Sequence, residues 1–463
     1  MIIARSSSSG AIVAREFLMQ MWRALGGAPE VLDRVEFSGT GDLPSVFAVA
    51  DFAAAAVGAA GAAMAELVAK RTGEVPRVLL GKRLASLWYG WSIRPEGWTP
   101  PAPWDPVAGD YATADGWIRL HTNAPHHREA ALRVLGAPAD KTQVAKTVAG
   151  WNADDLESAV VKSGGCAATM RSLDAWKAHP QGQSIASDPL LATESSDDRS
   201  DLEWSPTPGR PLHGLRVLDL TRVLAGPVAT RFLAGFGAEV LRIDAPTWDE
   251  PGVVLDVTLG KRCARLNLRD AADRERFKQL LSEAHVLVHG YRADALTNLG
   301  FSAAERRQIR PGLVDVSLDA YGWSGPWKNR RGFDSLVQMS TGIADAGMRL
   351  LNRDRPTPLP VQALDHATGY LMAASVIRGL ITNRGFQARA SLAGTAGLLV
   401  SQHPTAVLSN GVSPTDADWA AELEITEFGP AHRLRPPLQV GAAPMHWDRP
   451  AASLGSSPPE WLR

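Results

Sequence analysis

The sequence predicts an α/β protein built around a parallel sheet. Three observations carry this reading: strand and helix patterns alternate from 215 to 318, the apolar content suits a large core, and a polar, proline-bearing stretch at 194–210 separates this alternation from the preceding half. Residues 215–220 form a short apolar run, and Ala225-Gly-Pro227 opens a helix through Phe236, with proline suited to a first turn. Gly237 fits the end of that helix, and 238–243 is the next strand. Residues 262–268, 285–288 and 313–318 are further strand candidates, with a helix over 271–284 between two of them. Such alternation places helices on both faces of a parallel sheet.

Composition narrows the function classes. At 463 residues, 45% hydrophobic and 21% charged, the chain is long and apolar enough for several domains and is not a disordered segment. A formal net charge of −1 gives no global pull toward nucleic acid or anionic lipid. Two cysteines, Cys166 and Cys263, cannot build a disulfide framework, so a reducing cytoplasm is expected. The first ten residues carry no apolar core and do not read as a secretory signal. The apolar stretch 52–64, between Asp51 and Glu66, is short for a membrane span and rich in Ala and Gly, so it predicts a tightly packed core helix.

The chain also carries an internal echo. Pro44-Ser-Val-Phe-Ala-Val-Ala-Asp51 and Pro358-Leu-Pro-Val-Gln-Ala-Leu-Asp365 each place a proline seven residues before an Asp, followed by a small-residue helix and a basic residue with glycine. The shared order predicts a duplicated unit. An Asp at a helix start caps free amides or serves as a carboxylate nucleophile, and both readings apply to Asp365 and Asp51.

Other candidates lie where α/β sheets bind ligands, in loops at strand ends. The loop Thr221-Arg-Val-Leu-Ala-Gly-Pro-Val offers one glycine where a dinucleotide fingerprint needs three, which argues against NAD. Lys261, Arg262 and Arg292 are basic residues placed to meet phosphates or to form solvated surface. His126 and His127 start a helix predicted to lie on the surface, and no partner at ligand spacing suggests a metal. No G-x-S-x-G appears to support a serine hydrolase.

Taken in order, these segments resemble the class III CoA-transferases, the family of formyl-CoA transferase, carnitine CoA-transferase and alpha-methylacyl-CoA racemase. The resemblance runs through 212–227, 237–244, Gly260-Lys-Arg262, 284–292, Leu299-Gly300, 321–326, Gly332-Phe-Asp334 and Leu364-Asp365. It implies a Rossmann-like large domain at 211–400 that binds CoA, plus a smaller α+β domain. Residues 1–195 resemble the family's catalytic-Asp helix and small domain, 196–210 are expected to be a linker, and 401–463 a wrapping segment. The implied architecture is fused and rearranged, in a family of interlocked homodimers.

The resemblance further implies that Asp365 attacks an acyl-CoA thioester and that CoA passes through an aspartyl-CoA thioester to a carboxylic acid acceptor. Asp51 would be a second or vestigial copy. Val223, Leu224, Ala225, Gly226, Lys261, Arg262 and Arg292 would contact CoA, which acts as a substrate, and no metal, nucleic acid or membrane is implied. Two departures stand out: Phe333 replaces the histidine that racemases use for proton transfer, and Leu224 replaces the glutamine of formyl-CoA transferase. The alternatives are a racemase-like isomerase and a CoA-binding homologue without turnover.

Overall fold

A computed structural model describes residues 7–201, 203–292, 294–405 and 410–462. The chain begins with helix α1 (Ser7–Ala24), strand β1 (Val35–Ser38), helix α2 (Val49–Thr72), strand β2 (Val78–Gly81) and helix α3 (Lys82–Leu87). Strand β1 pairs parallel with β2. Helix α2 is apolar all round, as a helix buried on every side must be. Its 24 residues are long and apolar enough to cross a membrane, beyond the short span the sequence suggested, and 83% of its most apolar stretch is buried inside the protein. Gly73, with φ 81°, ends it in the left-handed conformation.

Strand β3 (Ile93–Pro95) leads to a small α+β unit made of β4 (Gly109–Ala112), β5 (Trp117–Leu120), α4 (Pro125–Leu135), α5 (Lys141–Val148), α6 (Ala153–Lys162) and β6 (Ala167–Thr169). Its three strands are antiparallel and enclose a separate apolar core around Ile118, Val144, Leu156 and Val160. Helices α7 (Leu173–Ala178) and α8 (Pro180–Ser187) lead to β7 (Leu191–Arg199).

The second half supplies β8 (Arg216–Leu220), α9 (Ala225–Gly235), β9 (Glu239–Asp244), α10 (Val254–Val257), β10 (Lys261–Arg265), α11 (Ala271–Ser282), β11 (Val286–His289), α12 (Ala295–Asn298), α13 (Ala303–Ile309) and β12 (Val314–Asp319). Helices α14 (Asp334–Ser340), α15 (Ile343–Leu350) and α16 (Ala363–Thr382) precede β13 (Arg384–Ser391) and α17 (Leu392–Ser401). The main sheet runs β10-β9-β8-β11-β12-β13-β7, and its first six strands are parallel in the doubly wound order. Val217 and Leu218 show the pleat: the first joins the core shared with α2 and α16, the second the core under α11.

One expectation about organisation is corrected. The polar stretch read as a linker from 196 begins as the end of β7, which runs antiparallel to β13 at the sheet edge. Its charges face solvent on an edge strand, where charge blocks further pairing, so no apolar period marks it. Helices α1, α2 and α16 share one continuous core. After 401, β14 (Trp419–Thr426) and β15 (Gly429–Leu434) add to β3, and β16 (Leu438–Val440) pairs with β2 and with β17 (Ala443–Pro444). The tail therefore contributes strands to two N-terminal sheets.

Candidate active site

The doubly wound order reverses between β8 and β11, and the loops leaving their C-terminal ends form the crevice. The β8 loop is held from below. Buried Asp219 accepts bonds from the Thr221 amide at 2.9 Å, the Thr230 hydroxyl at 2.6 Å and Lys261 Nζ at 2.9 Å. Burial alone would raise the Asp219 pKa, but Lys261, Arg242 and the two hydroxyls outweigh it and hold the carboxylate ionised. A Cβ on Gly226 would collide with the Thr221 side chain, so the tight path needs glycine.

Val223 has φ 65°, a strained conformation for a β-branched residue, and its amide is pinned to Glu250 Oε2 at 2.9 Å. Beside it, Arg222 lies 4.4 Å above the Trp248 ring and 5.3 Å from that of Tyr291. Arg292 is exposed at the adjoining β11 loop. Leu224 and Ala225 lead the same loop into α9, whose first turn meets α16, where a Cβ on Gly369 would strike the Ala225 carbonyl.

Lys261 and Arg262 are not in this crevice. Lys261 is fully enclosed, bonded to Asp219 and to the Pro227 carbonyl at 3.1 Å. Arg262 is tied to Glu239 and to the carbonyls of Pro458 and Glu460. Both are structural: Lys261 is enclosed between Asp219 and the first turn of α9, and residues 458–460 cover Arg262. They therefore do not contact CoA as expected.

Asp365 stands in the first turn of α16, 8% exposed. Its amide and that of Leu364 both donate to Asp334 Oδ2, at 3.0 and 2.8 Å, so Asp334 caps the helix and the Asp365 side chain does not. Gln338 donates to the other Asp334 oxygen and accepts from the Leu359 amide at 2.7 Å, which fixes the cap. The Asp365 carboxyl makes no hydrogen bond or ion pair among the described residues. Burial and then Asp334 raise its pKa well above the ordinary range. Burial also pushes Asp334 up to about 6, against the two amides and Gln338 that favour its ionised form. The two amides and Gln338 thus favour the charged form of Asp334, and nothing comparable favours that of Asp365.

Asp51 has a different setting. It is 5% exposed, as buried as Asp365, but its Oδ1 is 2.5 Å from Lys82 Nζ at the start of α3. The small unit closes the other side of the Asp365 surroundings. His121 stacks face-on against Phe333 at 3.7 Å, and the His127 ring meets Phe333 edge-on at 5.8 Å. His127 is buried, which corrects its reading as a surface residue. Among the described residues no group of three or more His, Cys, Asp or Glu is placed to hold a metal.

Sequence reasoning missed the capping role of Asp334, the Arg222–Trp248–Tyr291 crevice and the approach of His121 and His127. Asp334 sits in the quoted Gly332-Phe-Asp334 motif, which is the signal that points to it. The others follow only from which elements the topology brings together.

The family model for CoA-transferase family III matches residues 212–424, which include the crevice, Asp334 and Asp365. The matched segment is a little under half of the chain. An acetyl-coenzyme A transferase of Hypoxylon pulicicidum is 33% identical over 180 residues, 38% of this chain and 30% of that protein. An acyl-CoA transferase of Gibberella moniliformis is 28% identical over 295 residues, covering 58% of this chain and 52% of its own. The human succinyl-CoA:glutarate CoA-transferase is 31% identical over 187 residues, 37% of this chain and 42% of its own. The chain thus spans about half or less of the length of these relatives. The family III segment carries the nucleophile candidate and the β8 and β11 loops, while the facing histidines come from outside it.

Proposed function

We propose that the protein transfers CoA from an acyl-CoA to a carboxylic acid, with Asp365 as the nucleophile. The observation that carries this is the unpartnered Asp365 carboxyl at a helix start already capped by Asp334, so the helix does not need that side chain. CoA would lie across the β8–β11 crevice with Val223 to Gly226, Arg222 and Arg292 around it. The match of the family model over 212–424 and the relatives' transferase names support the reading.

The chemistry balances without an added proton or oxidant. Asp365 first releases its proton to solvent, and its carboxylate attacks the thioester carbonyl, expelling CoA thiolate and leaving an acyl–aspartyl anhydride. The thiolate attacks the aspartyl carbonyl, releasing the donor acid and forming aspartyl-CoA. The acceptor carboxylate attacks that thioester and gives a second anhydride. Thiolate then attacks the acceptor's carbonyl, giving the new acyl-CoA and restoring Asp365.

The test is intact-protein mass spectrometry after incubation with a panel of acyl-CoAs. A CoA adduct that hydroxylamine removes, absent from Asp365→Ala, is the expected result. No adduct with any donor, or an adduct that survives in Asp365→Ala, overturns the reading.

A further inference from the structure

The small unit presents one end of α4 to the Asp365 surroundings. Helix α4 has 11 residues, starts at Pro125 and receives no side-chain cap from Ala124. In its first turn, His127 is 4% exposed, yet neither ring nitrogen has a partner. Buried imidazole nitrogens without hydrogen bonds are costly and call for a ligand or ordered water. Burial first, then His126 and Arg331, pushes the His127 pKa down to about 3, so the ring is neutral and carries one N–H donor.

Three groups favourable to an anion converge there. The α4 N-terminus carries partial positive charge. His127 offers the N–H. Arg331 brings a full charge: it is exposed, it bonds the Gly164 carbonyl at 3.3 Å, and it lies two residues before Phe333. Phe333 links this spot to the reaction centre, because it touches His127 and precedes Asp334, which holds the Asp365 amide.

We infer that the first turn of α4, His127 and Arg331 form the subsite for the carboxylate of the CoA acceptor. This rests on the transferase reading above and names where its second substrate is held. A carboxylate arriving beside Asp334 and Asp365 meets two acids, and this turn supplies the compensating charge and donor. A phosphate of CoA is the other anion available, but the pantetheine arm separates CoA's phosphates from its sulfur, whereas this turn is joined through Phe333 to Asp334, which caps the helix carrying Asp365.

The test uses the full chain with His127→Phe and Arg331→Gln, and with succinate, glutarate and butyrate as acceptor probes. Each variant is expected to raise the acceptor KM roughly tenfold, the effect of one lost hydrogen bond or charge contact. The KM for acyl-CoA and the rate of CoA-adduct formation stay at wild-type values, which also reports a folded site. An unchanged acceptor KM alongside normal adduct formation overturns the subsite. So does an acyl-CoA KM that rises in step, which marks a phosphate contact. Histidine-selective 15N NMR reads the subsite without turnover, with the His127 signal assigned by its loss in His127→Phe. Succinate is expected to shift that signal where equal ionic strength of chloride does not. Absence of a shift overturns the subsite even if the transferase reading itself fails for want of an adduct.

Discussion

Helices α2 and α16 are the same kind of object put to different uses. Each follows a proline seven residues before its Asp, each is buried almost throughout, and each is followed by a strand and a further helix. They pack side by side, and Glu66 of α2 pairs with Arg378 of α16, about four turns below the two aspartates, so Asp51 and Asp365 lie at the same end of the pair. Burial does not separate them, since both are nearly enclosed. Their partners do. Lys82 neutralises Asp51, whereas Asp334 takes over the capping duty at Asp365 and adds a second acid beside it. A buried carboxylate with a cation is a structural ion pair, and one placed beside another acid is held at a cost that function explains.

Exchanging the two acids breaks the comparison most sharply. Asp365→Asn is expected to abolish transfer while raising stability at neutral pH. The sign follows from linkage: the folded state holds the Asp365 proton above the unfolded pKa, so stability falls as pH rises through the window up to the folded value, and Asn removes that loss. Paired activity assays and denaturant titrations at pH 5 and 7.5 check this, with the smaller gain at pH 5. Asp51→Asn is expected to do the reverse. Removing the partner of partly buried Lys82 costs about 1–3 kcal/mol in the same titration and leaves kcat within a factor of about two.

A subtler change tests the acid pair itself. Asp334→Asn keeps an oxygen to accept the Leu364 and Asp365 amides but removes the charge that raises Asp365. The rate of adduct formation rises with pH as Asp365 loses its proton, and this limb is expected to move to lower pH in the variant. A limb that stays put separates the pair. The smallest effect belongs to the crevice rim: Arg292→Ala is expected to raise the acyl-CoA KM several-fold, less so as salt increases, with unchanged thermal stability. Lys261→Met marks the contrast. It strands the buried Asp219 carboxylate and is expected to cost about 3 kcal/mol of stability in a denaturant titration.

The strands from 216 to 319 were legible because a parallel sheet buries both faces and writes each strand as an apolar run. The edge strand β7 was not, because an exposed, charged edge has no such run. Asp365 was legible from its place at a helix start, and the family resemblance rather than the local pattern set it apart from Asp51. In the structure that distinction depends on Lys82, 31 positions from Asp51, and on Asp334, the same distance from Asp365. Lys261 and Arg262 misled because basic residues before a strand look solvated, and only tertiary packing encloses Lys261 between Asp219 and the Pro227 carbonyl. The pairing of His127 with Phe333 joins residues more than 200 apart and has no local signal.

The central claim is that one chain carries two like-placed acids and a single nucleophile. Peptide mapping of the hydroxylamine-sensitive CoA adduct tests it most directly. The account predicts one CoA per chain, on the peptide containing Asp365, in wild type and in Asp51→Ala alike. CoA attached at Asp51, or two adducts on one chain, would contradict it.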